Sequence, residues 1–208
     1  GGGARFAIKP TRVNAWAREP NEEPRHVKSL KIAVTGSAGQ VVQSLIRRAE
    51  HAGNITIIPL ARPLLDLGVE ASVTSTILAV RPDIVVNAAA YTAVDQAEDE
   101  PELAFRINEA GARAVAAASA RISVPVIQLS TDYVFSGTKG PHAEDEPTRP
   151  QSVYGASKLA GERAVAAENT DHVILRTAWV YSPFGRNFVK TMLKLSAERD
   201  VVSVVSDQ

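Results

Sequence analysis

The chain has 208 residues, 45% of them hydrophobic, with 23 basic and 23 acidic side chains and no cysteine. That is enough for one large domain with a sizeable core, and the balanced charge excludes the electrostatic footprint that nucleic acid or an anionic membrane requires. The lack of cysteine excludes disulfides, thiol nucleophiles and Cys-ligated metal; no apolar run reaches the roughly 18 residues of a membrane helix, and the four histidines at 26, 51, 142 and 172 lack metal-ligand spacing. A reducing cytoplasm is the expected setting.

Residues 1–28 mix glycine, proline and charge, without helical or strand periodicity and without the apolar core of a signal peptide. They are expected to form a poorly ordered extension, leaving 29–208 as the folded domain. Leu30 to Thr35 (LKIAVT) reads as a strand, followed at once by Gly36-Ser-Ala-Gly39-Gln40 and then the helical run VVQSLIRRAEHAG. Strand, glycine turn and helix are the context of a dinucleotide-binding loop. Gly36 allows the tight turn, Gly39 lets the backbone approach a pyrophosphate, and the helix N-terminus offers free N–H groups. A third glycine is expected at position 42, where Val42 stands; a valine there should push the helix slightly away from the strand.

Asn54 to Leu60 is the second strand, and its end should hold the adenosine ribose. Ala61-Arg62 follows, so an arginine rather than an acid stands where a 2′-phosphate would lie; this points to NADP, an exposed loop arginine being the alternative. Asp66 and Leu67 would border the adenine. A helix is expected over 69–80. Asp83 to Asn87 is an apolar strand of the buried parallel kind, and Ala88, Ala89 and Ala90 after it are small enough for a cofactor to lie on the backbone. An acidic stretch runs on to Glu102, and residues 102–120 predict one long helix in which Asn108 either braces the active-site backbone or makes a local bond.

Val124 to Ser130 is the fourth strand, delivering Thr131. Residues 136–151 form an acidic, turn-rich loop, and 152–169 a helix. His172 to Arg176 is the fifth strand, a helix extends to about Glu198, and Val201 to Val205 begins a sixth strand. This alternation predicts an α/β, doubly wound, Rossmann-like parallel sheet with right-handed crossovers. In such sheets ligands bind beyond the carboxyl ends of the strands, so the glycine loop, Thr131 and the helix after it should converge.

On that helix Tyr154 and Lys158 stand four apart and share a face. An ammonium beside a phenol favours the phenolate, lowers the Tyr154 pKa and makes it a usable proton donor near neutrality. Thr131 offers a hydroxyl to a substrate carbonyl or to the tyrosine.

The stretches TGSAGQV (35–41), DIVVNAAAYTAVDQAE (83–98), STDYVFSGTKGP (130–141), VYGASKLAGE (153–162), ILRTAWVY (174–181) and NFVKTML (187–193) resemble the extended short-chain dehydrogenase/reductase superfamily, and most closely the dTDP-4-dehydrorhamnose reductase family. The resemblance covers residues 30 to 208. It implies hydride transfer from NADPH, or alternatively NADH, to the C4 keto group of dTDP-4-dehydro-L-rhamnose. In that reaction Tyr154 protonates the oxygen, Lys158 holds the nicotinamide ribose and Thr131 positions the carbonyl. It further implies that Gly39, Gln40 and Val41 lie under the pyrophosphate, that Ala90, Tyr91 and Thr92 lie along the cofactor, and that Asp132 and Trp179 contact the sugar nucleotide. Members are often dimers, sometimes with Mg²⁺, although no ligand cluster for a metal is visible here. Members also continue for roughly 80 to 90 residues past the position of Gln208, a domain-scale difference. The expectation is therefore an intact cofactor half, an incomplete substrate half, and weak or absent turnover by these 208 residues. Two other readings are a non-catalytic NADP-binding subunit, similar to the methionine adenosyltransferase β-subunit, and a nucleotide-sugar epimerase or dehydratase that retains NAD.

Overall fold

The structure is a computed structural model that describes residues 29–137, 141–199 and 201. The expected extension over 1–28 lies outside the described residues, as does the expected sixth strand apart from Val201.

Five strands form one parallel sheet: β1 (Leu30–Thr35), β2 (Ile55–Leu60), β3 (Ile84–Asn87), β4 (Val126–Thr131) and β5 (His172–Thr177). Their order is β2-β1-β3-β4-β5, the doubly wound arrangement expected. Pro59 sits inside β2 opposite Val34. It is tolerated because β2 is an edge strand, where a missing N–H breaks no second ladder.

The two faces of the sheet bury alternate residues, as the period of two requires. On one face Ala33, Val85 and Val126 pack against three helices: α2 (Glu70–Val80) through Val73 and Ile77, α5 (Ala112–Arg121) through its alanines, and α6 (Val153–Glu168) through Val165. On the other face Val34 and Val86 meet α1 (Gln40–Ala52) through Val42, Leu45 and Ile46. Val42 is 2% exposed and has become core. Burying its side chain is worth about 1.5–3 kcal/mol, which a glycine would not supply.

One helix is not expected from the sequence, and one expectation needs correction. The acidic stretch before Glu102, to which the sequence assigns no element, contains α3 (Val94–Asp99), anchored by the fully buried Ala97. The single helix expected over 102–120 begins at Pro101, in the first-turn position where a missing N–H costs nothing. It is divided into α4 (Pro101–Phe105), a π-helical stretch over Arg106–Gly111, and α5. A π stretch turns residues away from the regular helical face, and here it carries Asn108 inward, 3% exposed. The Asn108 carboxamide donates to the Tyr91 carbonyl (3.0 Å) and to Ser157 Oγ (3.0 Å), and its oxygen accepts from the Tyr91 N–H (2.8 Å). Asn108 therefore braces the chain after β3 against α6, one of the two roles open for it from the sequence.

α6 lies unusually close to its neighbours. A Cβ on Gly161 would stand 2.1 Å from the Asn108 carbonyl oxygen, and one on Gly155 would stand 2.2 Å from that of Tyr133. These obstacles are backbone atoms, so the helix itself would have to move. Gly161→Ala should therefore destabilise the domain by about 2–3 kcal/mol, at the upper end of ordinary overpacking. Denaturant unfolding of the variant checks this, and an unchanged midpoint would show that α6 has slack.

Candidate active site

β1 and β3 are neighbours in the sheet but β2 intervenes in the chain, so successive crossovers leave β1 in opposite directions. Such a reversal opens a crevice at the strands' carboxyl ends. A cavity of about 610 Å³ lies there, lined by Gly36 and Gly39, by Arg62, Asp66 and Leu67, and by Ala88, Ala89, Ala90 and Thr92. All of these were singled out from the sequence as cofactor-binding residues. Gly36 holds φ at +93° and donates its N–H to the Leu60 carbonyl at 2.7 Å, which makes the turn. Around Gly39 a Cβ would meet nothing within 4 Å, so the backbone is open to a ligand at the first turn of α1. N–H groups at a helix N-terminus have no intrahelical acceptors and suit an anion. Arg62 stands exposed at the end of β2, while Asp66 accepts the Gly68 N–H at 2.9 Å and shapes the loop beside Leu67.

The floor of the crevice is fixed by a buried polar chain. Thr35 Oγ1 donates to Asn87 Oδ1 (2.8 Å) and accepts the N–H groups of Ala88 (3.0 Å) and Ala89 (2.9 Å). Asn87 Nδ2 donates to Gln128 Oε1 (2.8 Å), and Gln128 donates in turn to the Leu129 carbonyl (2.9 Å). Tyr91, expected along the cofactor, turns its phenol to Glu100 at 2.8 Å and lines no part of this cavity. Gln40 and Val41 likewise do not line it, and the Gln40 side chain is engaged elsewhere.

At the end of β4, Thr131 is 6% exposed and its hydroxyl donates to Asp132 at 3.0 Å. The Tyr154 phenol lies near enough to Thr131 for that hydroxyl to act on its pKa, and its ring meets Tyr133 edge-on at 5.6 Å. Ser152 caps α6 by accepting the Gly155 N–H at 3.1 Å, and Glu98 of α3 accepts the Val153 N–H at 2.8 Å. Tyr154 is thus mounted on a helix start held from two sides. Lys158 is 5% exposed and donates from Nζ to the Leu129 carbonyl at 2.6 Å.

The charge states depart from the expectation in one respect. Burial pushes the Tyr154 phenol above its ordinary pKa; the Thr131 hydroxyl works against this, and the Asp132 and Tyr133 charges add to it. The lowering expected from Lys158 is absent, because the ammonium is turned to the Leu129 carbonyl. Burial brings Lys158 itself down to about 8, against an opposing pull from Glu162.

A second cavity, of about 520 Å³, is lined by Asp132, Tyr133, Gln151, Ser152 and Trp179 among others, so the two residues expected to contact a sugar nucleotide, Asp132 and Trp179, border one space. Tyr133 was not singled out from the sequence, although it lies inside STDYVF. Nor was Glu162, which is 3% exposed, takes the Arg176 guanidinium in a two-pronged bridge (3.0 and 2.7 Å) and accepts the Ser130 hydroxyl at 2.5 Å. Its place four residues past Lys158 on the same helix face was the available signal. Among the described residues no group of three or more His, Asp or Glu side chains could hold a metal ion. The described residues therefore do not fit Mg²⁺. Among the described residues no helix is long and apolar enough to cross a membrane.

Comparison with known proteins agrees with this geometry. The family model for the RmlD substrate binding domain matches residues 30–208. The chain belongs to the RmlD family. A curated relative, the dTDP-4-dehydrorhamnose reductase of Sinorhizobium fredii, is 51% identical over 180 residues, which are 86% of this chain and 60% of that protein. The chain thus spans about 60% of the length of such relatives. The crystal structure of a dTDP-4-dehydrorhamnose reductase from Clostridium acetobutylicum superposes with a TM-score of 0.77 at 40% identity, covering 82% of this chain and 61% of the other. That of the Bacillus anthracis enzyme, solved in complex with NADP, gives 0.77 at 39% identity, with the same two coverages.

In this RmlD-family chain the buried Lys158 is held at a cost. Its native pKa lies below its unfolded value, so the penalty is fully present below about pH 8 and is relieved as pH rises from there towards 10.5. Lys158→Met should keep the fold and match or exceed the parent's stability at pH 7, by up to about 3 kcal/mol. That advantage should shrink above pH 8. Chemical denaturation across pH checks this. A variant clearly weaker than the parent at pH 7 would show that the Leu129 hydrogen bond outweighs desolvation.

Proposed function

We propose that the protein is an NADPH-dependent reductase acting on the C4 keto group of dTDP-4-dehydro-L-rhamnose and giving dTDP-L-rhamnose. The observation that carries this reading is the meeting of Thr131, Tyr154 and Lys158 at the end of β4, with a glycine- and alanine-floored crevice at the β1/β3 reversal and a second cavity at Asp132 and Trp179. The relatives' names supply the substrate, and the NADP held by the Bacillus anthracis protein supports the cofactor.

A bound nicotinamide would supply the hydride. The N–H groups opening α1 would receive the pyrophosphate, Arg62 would face a 2′-phosphate, and Ala88 to Ala90 would leave room for the cofactor against the backbone. Asp132 and Trp179 would orient the sugar nucleotide. Thr131 would hold the carbonyl oxygen, and Tyr154 would give that oxygen its proton as the carbonyl carbon is reduced. Because burial raises its pKa, Tyr154 is a protonated phenol at neutral pH, which is the state a proton donor needs. Lys158, one helical turn away, would bind the nicotinamide ribose.

NADPH oxidation followed by absorbance, with the keto sugar nucleotide and this chain, tests the reading. Oxidation should require the sugar, and Tyr154→Phe should lower kcat about 10²–10⁴-fold while NADPH still binds. Because the chain spans about 60% of the length of the Sinorhizobium fredii relative, binding of NADPH without oxidation at saturating sugar, both by this chain and by this chain joined to the C-terminal part of that relative, would overturn the reductase assignment.

Arg62→Ala should weaken NADPH by roughly 10- to 100-fold, the worth of a charge-assisted phosphate contact, and leave NADH almost unchanged. Equal losses for the two, measured by titration, would remove Arg62 from cofactor selection.

A further inference from the structure

Gln40 is the first residue of α1, directly after Gly39, yet its side chain turns away from the crevice. Its amide oxygen accepts from Ser182 Oγ at 3.0 Å and from Asn187 Nδ2 at 2.9 Å, and its amide nitrogen donates to the Val180 carbonyl at a longer 3.4 Å. These partners lie 140 to 147 residues further on, in the segment that joins β5 to α7 (Phe188–Glu198). Little apolar packing holds that segment. No residue of α7 is buried, and Trp179, Val180 and Tyr181 are 58%, 43% and 72% exposed.

The segment is nonetheless tightly bonded within itself. Asn187 donates to the Ser182 carbonyl at 2.8 Å and caps α7 by accepting the Lys190 N–H at 3.0 Å. Ser182 is bonded to both the N–H and the carbonyl of Phe184, and the Lys190 ammonium donates to the carbonyls of Pro183 and Gly185. Phe188, next to Asn187, meets the Trp179 ring edge-on at 5.0 Å. Trp179 in turn lines the second cavity. A continuous path of contacts therefore runs from the glycine loop, through Gln40, Asn187 and Phe188, to Trp179.

We propose that Gln40 is a positioning residue that couples occupancy of the dinucleotide crevice to the placement of Trp179 at the substrate-side cavity. This rests on the reading of that crevice as a dinucleotide site. An anion at the N–H groups of the first turn of α1 fixes that turn, and the Gln40 amide carries the constraint to a segment with little other attachment. Coupling of this kind is reciprocal: what orders Trp179 for the sugar nucleotide also tightens the dinucleotide.

The test uses Trp179 as its own reporter. The chain has two tryptophans, so Trp16→Phe leaves Trp179 alone. NADP⁺ binding is measured by calorimetry, and access to Trp179 by acrylamide quenching of its emission. In the parent, saturating NADP⁺ should reduce quenching. In a Ser182→Ala/Asn187→Ser variant, which retains a helix-capping hydroxyl at 187, NADP⁺ should still bind but the quenching response should be lost. Ser182→Ala alone, which leaves Asn187 in place, should weaken the response. A parent that binds NADP⁺ with no change at Trp179, or a double variant with the parent's full response, would overturn the coupling. A parent that binds no NADP⁺ would instead overturn the dinucleotide reading, and this proposal with it.

Discussion

The hydrogen-bond chain Thr35–Asn87–Gln128 is the constraint on which the site depends. These three side chains are at most 2% exposed; Thr35 and Asn87 end β1 and β3, the two strands between which the crossovers change direction, and Gln128 lies midway along β4 beside Asn87. Buried polar groups of this kind cost about 1–3 kcal/mol each if left unpaired, so they tolerate one arrangement. In that arrangement the Thr35 hydroxyl is fully used: it donates to Asn87 and accepts two backbone N–H groups. The backbone of Ala88 and Ala89 is thereby fixed as the crevice floor, and among the described residues no buried side-chain nitrogen or oxygen lacks a partner. An apolar core would hold the strands together equally well, but it would not set the heights of two consecutive amides.

The same economy governs α6. Gly155 and Gly161 let the helix touch the backbones of Tyr133 and Asn108, and Asn108 and Glu98 bond it from the neighbouring helices. Close approach removes water, and both candidate proton-handling groups respond by moving towards neutrality: Tyr154 upward and Lys158 downward, each chiefly through burial. Glu162 opposes the change at Lys158 while it is itself held by Arg176 and Ser130. The helix thus carries a phenol that stays protonated and an ammonium kept charged with difficulty, which is a strained ground state of the kind found where function outranks stability.

Local patterning made most of this fold readable from the sequence. β1 was placed to the residue, and the other strands and α1, α2 and α6 to within one or two, because each joins a short apolar or periodic run to a clear glycine, proline or polar stop. The crevice residues were legible for the same reason, since strand, turn and helix fix where their backbones go. What was not legible depends on partners distant in the chain. The π stretch at Arg106–Gly111 exists because Asn108 must reach Tyr91 and Ser157, 17 and 49 residues away. The direction of the Lys158 ammonium is set by a carbonyl on β4, and the direction of Gln40 by a segment 140 residues on. Spacing shows which residues share a face. It does not show which neighbour each side chain will choose.

That distinction also separates the two ends of the sheet. At the β2–β1–β3 end, α1 and α2 supply buried apolar side chains to both faces, so the glycine loop rides on a packed layer. At the other end Val173 and Leu175 of β5 are about half exposed, and α7 buries nothing among the described residues. There the chain is located mainly by hydrogen bonds to exposed or half-buried groups, which contribute about 0.5–1.5 kcal/mol apiece. Segments held this way open at low free energy. Trp179 therefore belongs to the readily adjusted part of the molecule, and Gly36 and Ala88 to the fixed part. The Gln40 amide is where the two are tied, so a ligand that firms the first turn of α1 acts on the region with the least stability to resist it.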